Sequence, residues 1–235
     1  MQITESIACV DSFDSHHRDR SMFQKEFCRR LMGEPSFAGA KLDIGCGGDL
    51  PEALTPIREQ LGVVDGVDPF PEVEGHPLLR NRWHGELEKV DIPSEAYDLA
   101  YAYNVVEHIP TAEPFFETVR RVLKPGGVFW ALTPHGKHPF AKCVRLVEGL
   151  RMKHRVAEAN EGVNDYPAYY RLNRLKDIAA AASAAGFTKL EMVYMPCVQW
   201  DHYFPKGFKF IPHLHDRILG LKRKNSMLVL AYRLE

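Results

Sequence analysis

Residues 41–50 read KLDIGCGGDL, and the fold turns on how this stretch is taken. A short, largely apolar run (Lys41–Ile44) leads into Gly45, Gly47 and Gly48, so a buried strand ends in a turn almost free of side chains. Pro51 then opens a helical pattern, PEALTPIREQLG, which stops at Gly62. Strand, glycine turn and helix in that order form the first unit of a parallel α/β sheet. In such sheets ligands lie beyond the carboxyl ends of the strands, which is where this loop falls. A pyrophosphate, a triphosphate or a ligand without phosphate could each sit there.

Working outward, GVVDGVDPF predicts a second strand stopped by Pro69, and NRWHGEL a third. YDLAYAYNVV reads as a fourth. TAEPFFETVRRVLKPGG carries Phe115, Phe116, Val119, Val122 and Leu123 on one helical face, with Thr111 at its start and Pro-Gly-Gly at its end. GVFWALTP is a fifth strand, LKDIAAAASAAGF a helix closed by Gly186, and TKLEMVYMP and SMLVLAYRL the last two strands. The order predicts a Rossmann-like, doubly wound sheet of seven strands, with helices on both faces and an antiparallel final strand. Upstream, Met22, Phe23, Phe27, Leu31 and Met32 recur at helical spacing in 15–32, a lead-in helix.

The whole chain sets bounds on function. It has 235 residues, enough for one α/β domain with elaborations, and 45% apolar against 26% charged residues support a sizeable core. Its net charge of −1 gives no general attraction to nucleic acid. Five scattered cysteines without a CxxC pair suggest reduced thiols, not a disulfide framework or a zinc site. The first twenty residues lack a signal-peptide layout, and no apolar run is long enough to span a membrane. The expected location is cytoplasmic.

The glycine loop can then be tested against each ligand. A dinucleotide fingerprint starting at Gly45 needs a small residue at position 50, where this chain has Leu50. A P-loop needs Gly-Lys-Ser/Thr, where the chain continues Gly48-Asp49-Leu50. Asp49 near a helix start also opposes a phosphate. A cationic ligand with no phosphate suits the loop better.

LDIGCGG resembles the first motif of class I S-adenosylmethionine-dependent methyltransferases. GVDPF is similar to their second motif, HGELEKVDIPSEAYDLAYAYNVVEHIP to the adenine loop, fourth strand and Glu-His-Ile that follow, and RRVLKPGGVFWALTP to the next helix, turn and strand. The resemblance covers about residues 40–134 in the family's order and implies S-adenosylmethionine as cofactor. It implies that Gly45, Cys46 and Gly47 lie beside the methionine part of the cofactor and that Asp43 orients its amino group. It implies, too, that Asp68, before Pro69, grips the ribose hydroxyls, since a carboxylate can accept two bonds from a vicinal diol. Gly85, Glu86 and Leu87 belong to the adenine side, and Asn104 and Val105 face the cofactor from the end of the fourth strand. The same resemblance makes 1–35 a cofactor lid, where His16, His17, Arg18 or Arg20 could meet the cofactor's carboxylate, and makes 135–170 and 197–225 substrate-side insertions within one domain. YPAYYRLNRLKDIAAAASAAGF further resembles a subset that modifies small molecules and glycans.

His108 and His135 are the catalytic candidates. An imidazole near neutral pH can take a proton from an attacking hydroxyl, and both residues follow strands at the carboxyl edge. Glu-His-Ile can equally be a helix start with its polar atoms spent on structure. Tyr169, Tyr170 and Arg171 are candidates for the acceptor wall. The absence of an Asn/Asp-Pro-Pro-aromatic motif after the fourth strand argues against exocyclic base amines, and Pro196-Cys197 follows the wrong strand for attack on cytosine. The expected acceptor is a hydroxyl of a small molecule, sugar or glycan-lipid intermediate. His213 and His215 lack a completing carboxylate cluster, so no metal is expected. Residues 204–224 mix aromatics with lysines and arginines and suggest either sheet packing or peripheral membrane contact. A catalytically silent cofactor-binding protein and an NAD-dependent oxidoreductase are the alternatives.

Overall fold

Every residue of Lys41–Ile44 and of Val64–Asp68 is buried, as strands covered on both faces of a parallel sheet must be. A computed structural model describes residues 3–10, 22–138, 141–142, 167–195, 210, 214 and 229–235. Its strands are β1 (Thr4–Cys9), β2 (Lys41–Ile44), β3 (Val64–Asp68), β4 (Leu79–His84), β5 (Tyr97–Tyr103), β6 (Leu123–Pro134), β7 (Lys189–Met195) and β8 (Val229–Leu234). The described helices are α1 (Met22–Met32), α2 (Arg58–Leu61), α3 (Ala112–Val122) and α4 (Leu175–Ala184).

The strands form one sheet in the order β1-β7-β8-β6-β5-β2-β3-β4. From β2 the chain winds outward through β3 to β4, then crosses back to β5 on the other side of β2. That reversal opens a crevice between the loops leaving β2 and β5. The final strand β8 is antiparallel to both neighbours and lies between β6 and β7, with Leu234 opposite Phe129 on one side and Leu190 on the other.

The sheet has eight strands, not the seven expected. The eighth is β1, which runs parallel to β7 from Thr4↔Lys189 to Cys9↔Tyr194. Thr4 to Ile7 are exposed, so this edge strand carries no continuous apolar run to betray it. The expected helix at 51–62 is a 3-10 turn over Glu52–Ile57 followed by the single turn α2, because Pro56 lies inside it and removes a donor. Thr111 holds the N-cap position of α3 but makes no side-chain cap bond. β6 starts directly after α3, so Pro-Gly-Gly ends the helix yet lies within the strand, where Gly126 takes φ +77°.

The two faces of the sheet carry separate cores. Phe27 and Leu31 of α1, with Leu61 of α2, pack on Leu99, Tyr101 and Trp130. Phe115, Phe116 and Val119 of α3, with Ile178 of α4, pack on Ala100, Phe129 and Tyr232. Phe116 meets Tyr232 edge-on at 6.4 Å, and burying such a ring is worth about 1.5–3 kcal/mol. Alternation along β2 and β5 decides which side chains face which core, and so which can reach the crevice.

Candidate functional site

At the carboxyl ends of β2, β3, β4 and β5 lies a cavity of about 770 Å³, large enough for a nucleoside-sized ligand. Gly45 and Gly47 border it from β2, Asp68 and Pro69 from β3, Gly85, Glu86 and Leu87 from β4, and Asn104, Val105 and His108 from β5. Four separate stretches of sequence thus meet around one space.

The glycine loop sits here for two different reasons. Gly45 has φ +76°, and a Cβ on it would run into the Val105 side chain, so packing of loop on loop requires glycine. Gly47 has φ +62°, and a Cβ there would meet no atom within 4 Å. The space it leaves opens on the cavity, a cradle that a side chain would fill. Gly47 N–H donates to Asp68 Oδ2 at 2.8 Å and Phe70 N–H to Oδ1 at 2.9 Å, so both carboxylate oxygens are fixed while each keeps a lone pair. Asp49 is exposed and accepts the N–H of Leu50 at 2.7 Å. Its carboxylate caps its own turn.

The charge of the cavity is one-sided. Asp68, Glu72, Glu86 and Glu88 line it, and among the described lining residues there is no lysine or arginine. Burial pushes the Glu88 carboxyl upward. Such a site welcomes a cation and disfavours a phosphate, which agrees with the reading of Leu50 and of the missing P-loop lysine.

Three candidates stand away from this cavity. Asp43 is buried, because its place on β2 turns it toward the α1–α2 layer beside Tyr101; burial pushes its carboxyl up to about 7. Cys46 is 1% exposed and faces the same layer, its thiol raised far above the ordinary range by desolvation. His135 turns into the protein after Pro134 and meets Tyr194 edge-on at 5.1 Å. His135 does not border the cavity among the described residues. Tyr169 borders the cavity, whereas Tyr170 is buried with φ +53° and Arg171 is exposed.

Glu107 and His108 divide the two roles considered for their motif. Glu107 points inward: its carboxylate accepts the Thr133 hydroxyl at 2.7 Å, Thr133 in turn accepts Asn173 Nδ2 at 2.7 Å, and burial raises the Glu107 pKa. The Glu107 carbonyl accepts both Tyr169 N–H (2.7 Å) and Tyr170 N–H (3.0 Å), which pins 167–170 over the turn. His108 points to the cavity, with Nδ1 at 2.8 Å from the Pro167 carbonyl. A carbonyl can only accept, so Nδ1 carries the proton and Nε2 is the basic nitrogen of the neutral ring.

Sequence reasoning missed Tyr103, Glu72 and Pro167. Tyr103 borders the cavity and accepts Gln24 Nε2 at 3.1 Å, tying α1 to the rim. Strand alternation through Leu99, Tyr101 and Tyr103 would have placed it on the α1 side. Pro167 acts through a backbone carbonyl, which no side-chain pattern announces. His16, His17, Arg18, Arg20, His213, His215, Pro196 and Cys197, and the proposed membrane segment apart from Phe210 and Leu214, lie outside the described residues. Among the described residues no group of three or more His, Cys, Asp or Glu could hold a metal, and no helix is long and apolar enough to cross a membrane.

Residues 42–131 match the family model described as a methyltransferase domain. The human protein named "Ubiquinone biosynthesis O-methyltransferase, mitochondrial" is 35% identical over 184 residues, which cover 73% of this chain and 48% of the relative. The chain spans about half the length of such curated relatives. Among solved structures, a SAM-dependent methyltransferase from Archaeoglobus fulgidus superposes with TM-score 0.58 at 15% identity, covering 92% of this chain and 94% of that one. Phosphoethanolamine N-methyltransferase 2 of Haemonchus contortus, in complex with S-adenosyl-L-methionine, gives 0.58 at 15% identity over 90% of this chain and 51% of that one. At such identities these likenesses establish the fold. Fold and crevice define a Rossmann-like α/β protein with its large cavity at the topological switch. Residues 42–131 match a methyltransferase domain, on a fold shared with S-adenosylmethionine-dependent methyltransferases.

Proposed function

We propose that this chain binds S-adenosylmethionine in the 770 Å³ cavity and transfers its methyl group to a hydroxyl of a small organic acceptor. The observation that carries the reading is the fixed Asp68 carboxylate at the end of β3, facing the same space as the Gly47 cradle. Its remaining lone pairs suit a vicinal diol, and the acidic lining suits a sulfonium and an ammonium. Gly85, Glu86 and Leu87 would border the base, while Asn104 and Val105 close the space from β5. Bound there, the cofactor would supply an electrophilic methyl group.

The chain's own part is alignment, exclusion of water and one proton. Ile109, Pro110, Pro114 and Phe115 give the cavity an apolar wall beside His108. His108 Nε2 would hold the proton of an acceptor hydroxyl as the oxygen becomes nucleophilic, with the Pro167 carbonyl keeping the ring in that tautomer. The name of the human relative supports an O-linked acceptor, and the apolar wall supports an organic one.

The experiment has two stages. Calorimetry with S-adenosylmethionine and, separately, NAD should give binding of the first only. Label transfer from methyl-labelled cofactor should then be found with phenolic, sugar or polyprenylated hydroxyl acceptors. Binding without transfer to any class would favour a silent cofactor-binding protein, and preference for NAD would reject the reading.

A further inference from the structure

Behind the glycine loop, on the side away from the large cavity, Asp43, His76 and Tyr101 border a second, small space of about 30 Å³. Leu50, Leu61, Val64, Leu78 and Leu79 supply apolar wall, and Arg58 also lines it. A space above about 10–15 Å³ admits one water, and a water needs two to four polar partners.

Those partners are defined atom by atom. His76 is 1% exposed, and its Nδ1 accepts the Leu78 N–H at 3.2 Å. A nitrogen that accepts carries no proton, so in the neutral ring the proton sits on Nε2. Nε2 is buried and has no hydrogen-bond partner. The Tyr101 hydroxyl is fully buried and lies against the Asp43 carboxyl, an interaction that holds that pKa down. One orphaned donor, a buried carboxyl and the hydroxyl beside it therefore border a space with room for a water. Leaving a buried donor unpaired costs about 1–3 kcal/mol, which a bridging solvent molecule removes.

We propose that a single water molecule is built into the fold here, accepting from His76 Nε2–H, donating to the Asp43 carboxyl and shared with the Tyr101 hydroxyl. A cation does not suit the space, because His76 directs a donor into it. The bridge links β2, directly under the glycine loop, to the 3-10 turn Pro71–Gly75 that precedes His76. Glu72 of that turn abuts Gly48, so the water braces the loop from below. It gives Asp43 a positioning role exerted through solvent, without contact with the main cavity.

A high-resolution crystal structure of the unmodified protein tests this directly. The expected result is one solvent peak within about 3.2 Å of all three side-chain atoms. In Tyr101→Phe the same peak should persist on the other two partners, with Tm lowered by a few degrees. An empty space, side chains closing on one another directly, or a peak at the roughly 2.4 Å contacts of a metal ion would each overturn the proposal. Because the peak is read from the protein alone, this outcome is independent of whether the chain proves to be an active methyltransferase.

Discussion

The backbone N–H of Gly47 donates to Oδ2 of Asp68 at 2.8 Å, so the ends of β2 and β3 are joined by one charge-assisted bond. The other oxygen takes the Phe70 N–H, and the carboxylate cannot rotate without breaking one of them. Asp68→Ala removes this anchor and any bond to a ribose. With about 1.5–3 kcal/mol for each hydrogen bond to a charged group, cofactor affinity should fall at least 100-fold while far-UV circular dichroism stays unchanged. Calorimetry checks this, and affinity within a few-fold of the parent would rule out the ribose assignment.

The two positive-φ glycines of the loop should respond differently to alanine. At Gly45 the new Cβ meets Val105 as well as paying for a left-handed backbone, so stability should drop by more than about 1 kcal/mol. Adding Val105→Ala should recover part of that loss. At Gly47 the Cβ meets no protein atom, so only the backbone penalty of about 1 kcal/mol applies, yet the methyl enters the cavity. Gly47→Ala should therefore lose more in cofactor affinity than in stability. Denaturant midpoints and calorimetry on the three variants separate the cases.

Which parts could be read beforehand follows from where the information lies. KLDIGCGGDL, VDP and YNVVEH are local patterns whose residue types are tied to backbone turns, and they fall around one cavity as expected. β1 was not legible, because an exposed edge strand needs only a neighbour's backbone and Thr4–Cys9 pairs with a segment far along the chain. Asp43 and Cys46 lie in the expected motif, with side chains in the α1–α2 layer and not along the cavity. Strand alternation contained that information; motif position did not. The side-chain directions of Glu107 and His108, and the part played by the Pro167 carbonyl, arise from contacts 26 and 59 residues apart, which no local period encodes.

His108 offers a test that separates alignment from proton transfer. His108→Gln keeps a polar side chain but no titratable nitrogen, and the Pro167 carbonyl can still accept from its amide. Turnover at saturating cofactor and acceptor should fall by about 10²–10⁴-fold, with cofactor affinity unchanged. Unchanged turnover would leave alignment as the whole device.

Asp43 makes the stability of the fold depend on pH in an unusual direction. Burial raises its carboxyl from the ordinary 3.8 to about 7, so between those values the folded protein holds a proton that the unfolded chain has released. Stability therefore falls as pH rises through this window and levels off above it, opposite to a salt-bridged aspartate. Nearby Asp68 adds to the upward shift, and Tyr101 opposes it. Asp43→Asn removes the ionisation. The variant should be more stable than the parent above pH 7, and the difference should shrink toward zero near pH 4. A water bridging Asp43 would ease the desolvation and narrow the window without reversing its sign. Urea midpoints for both proteins across this range provide the measurement, and a parent that gains on the variant as pH rises would contradict the buried carboxyl described here.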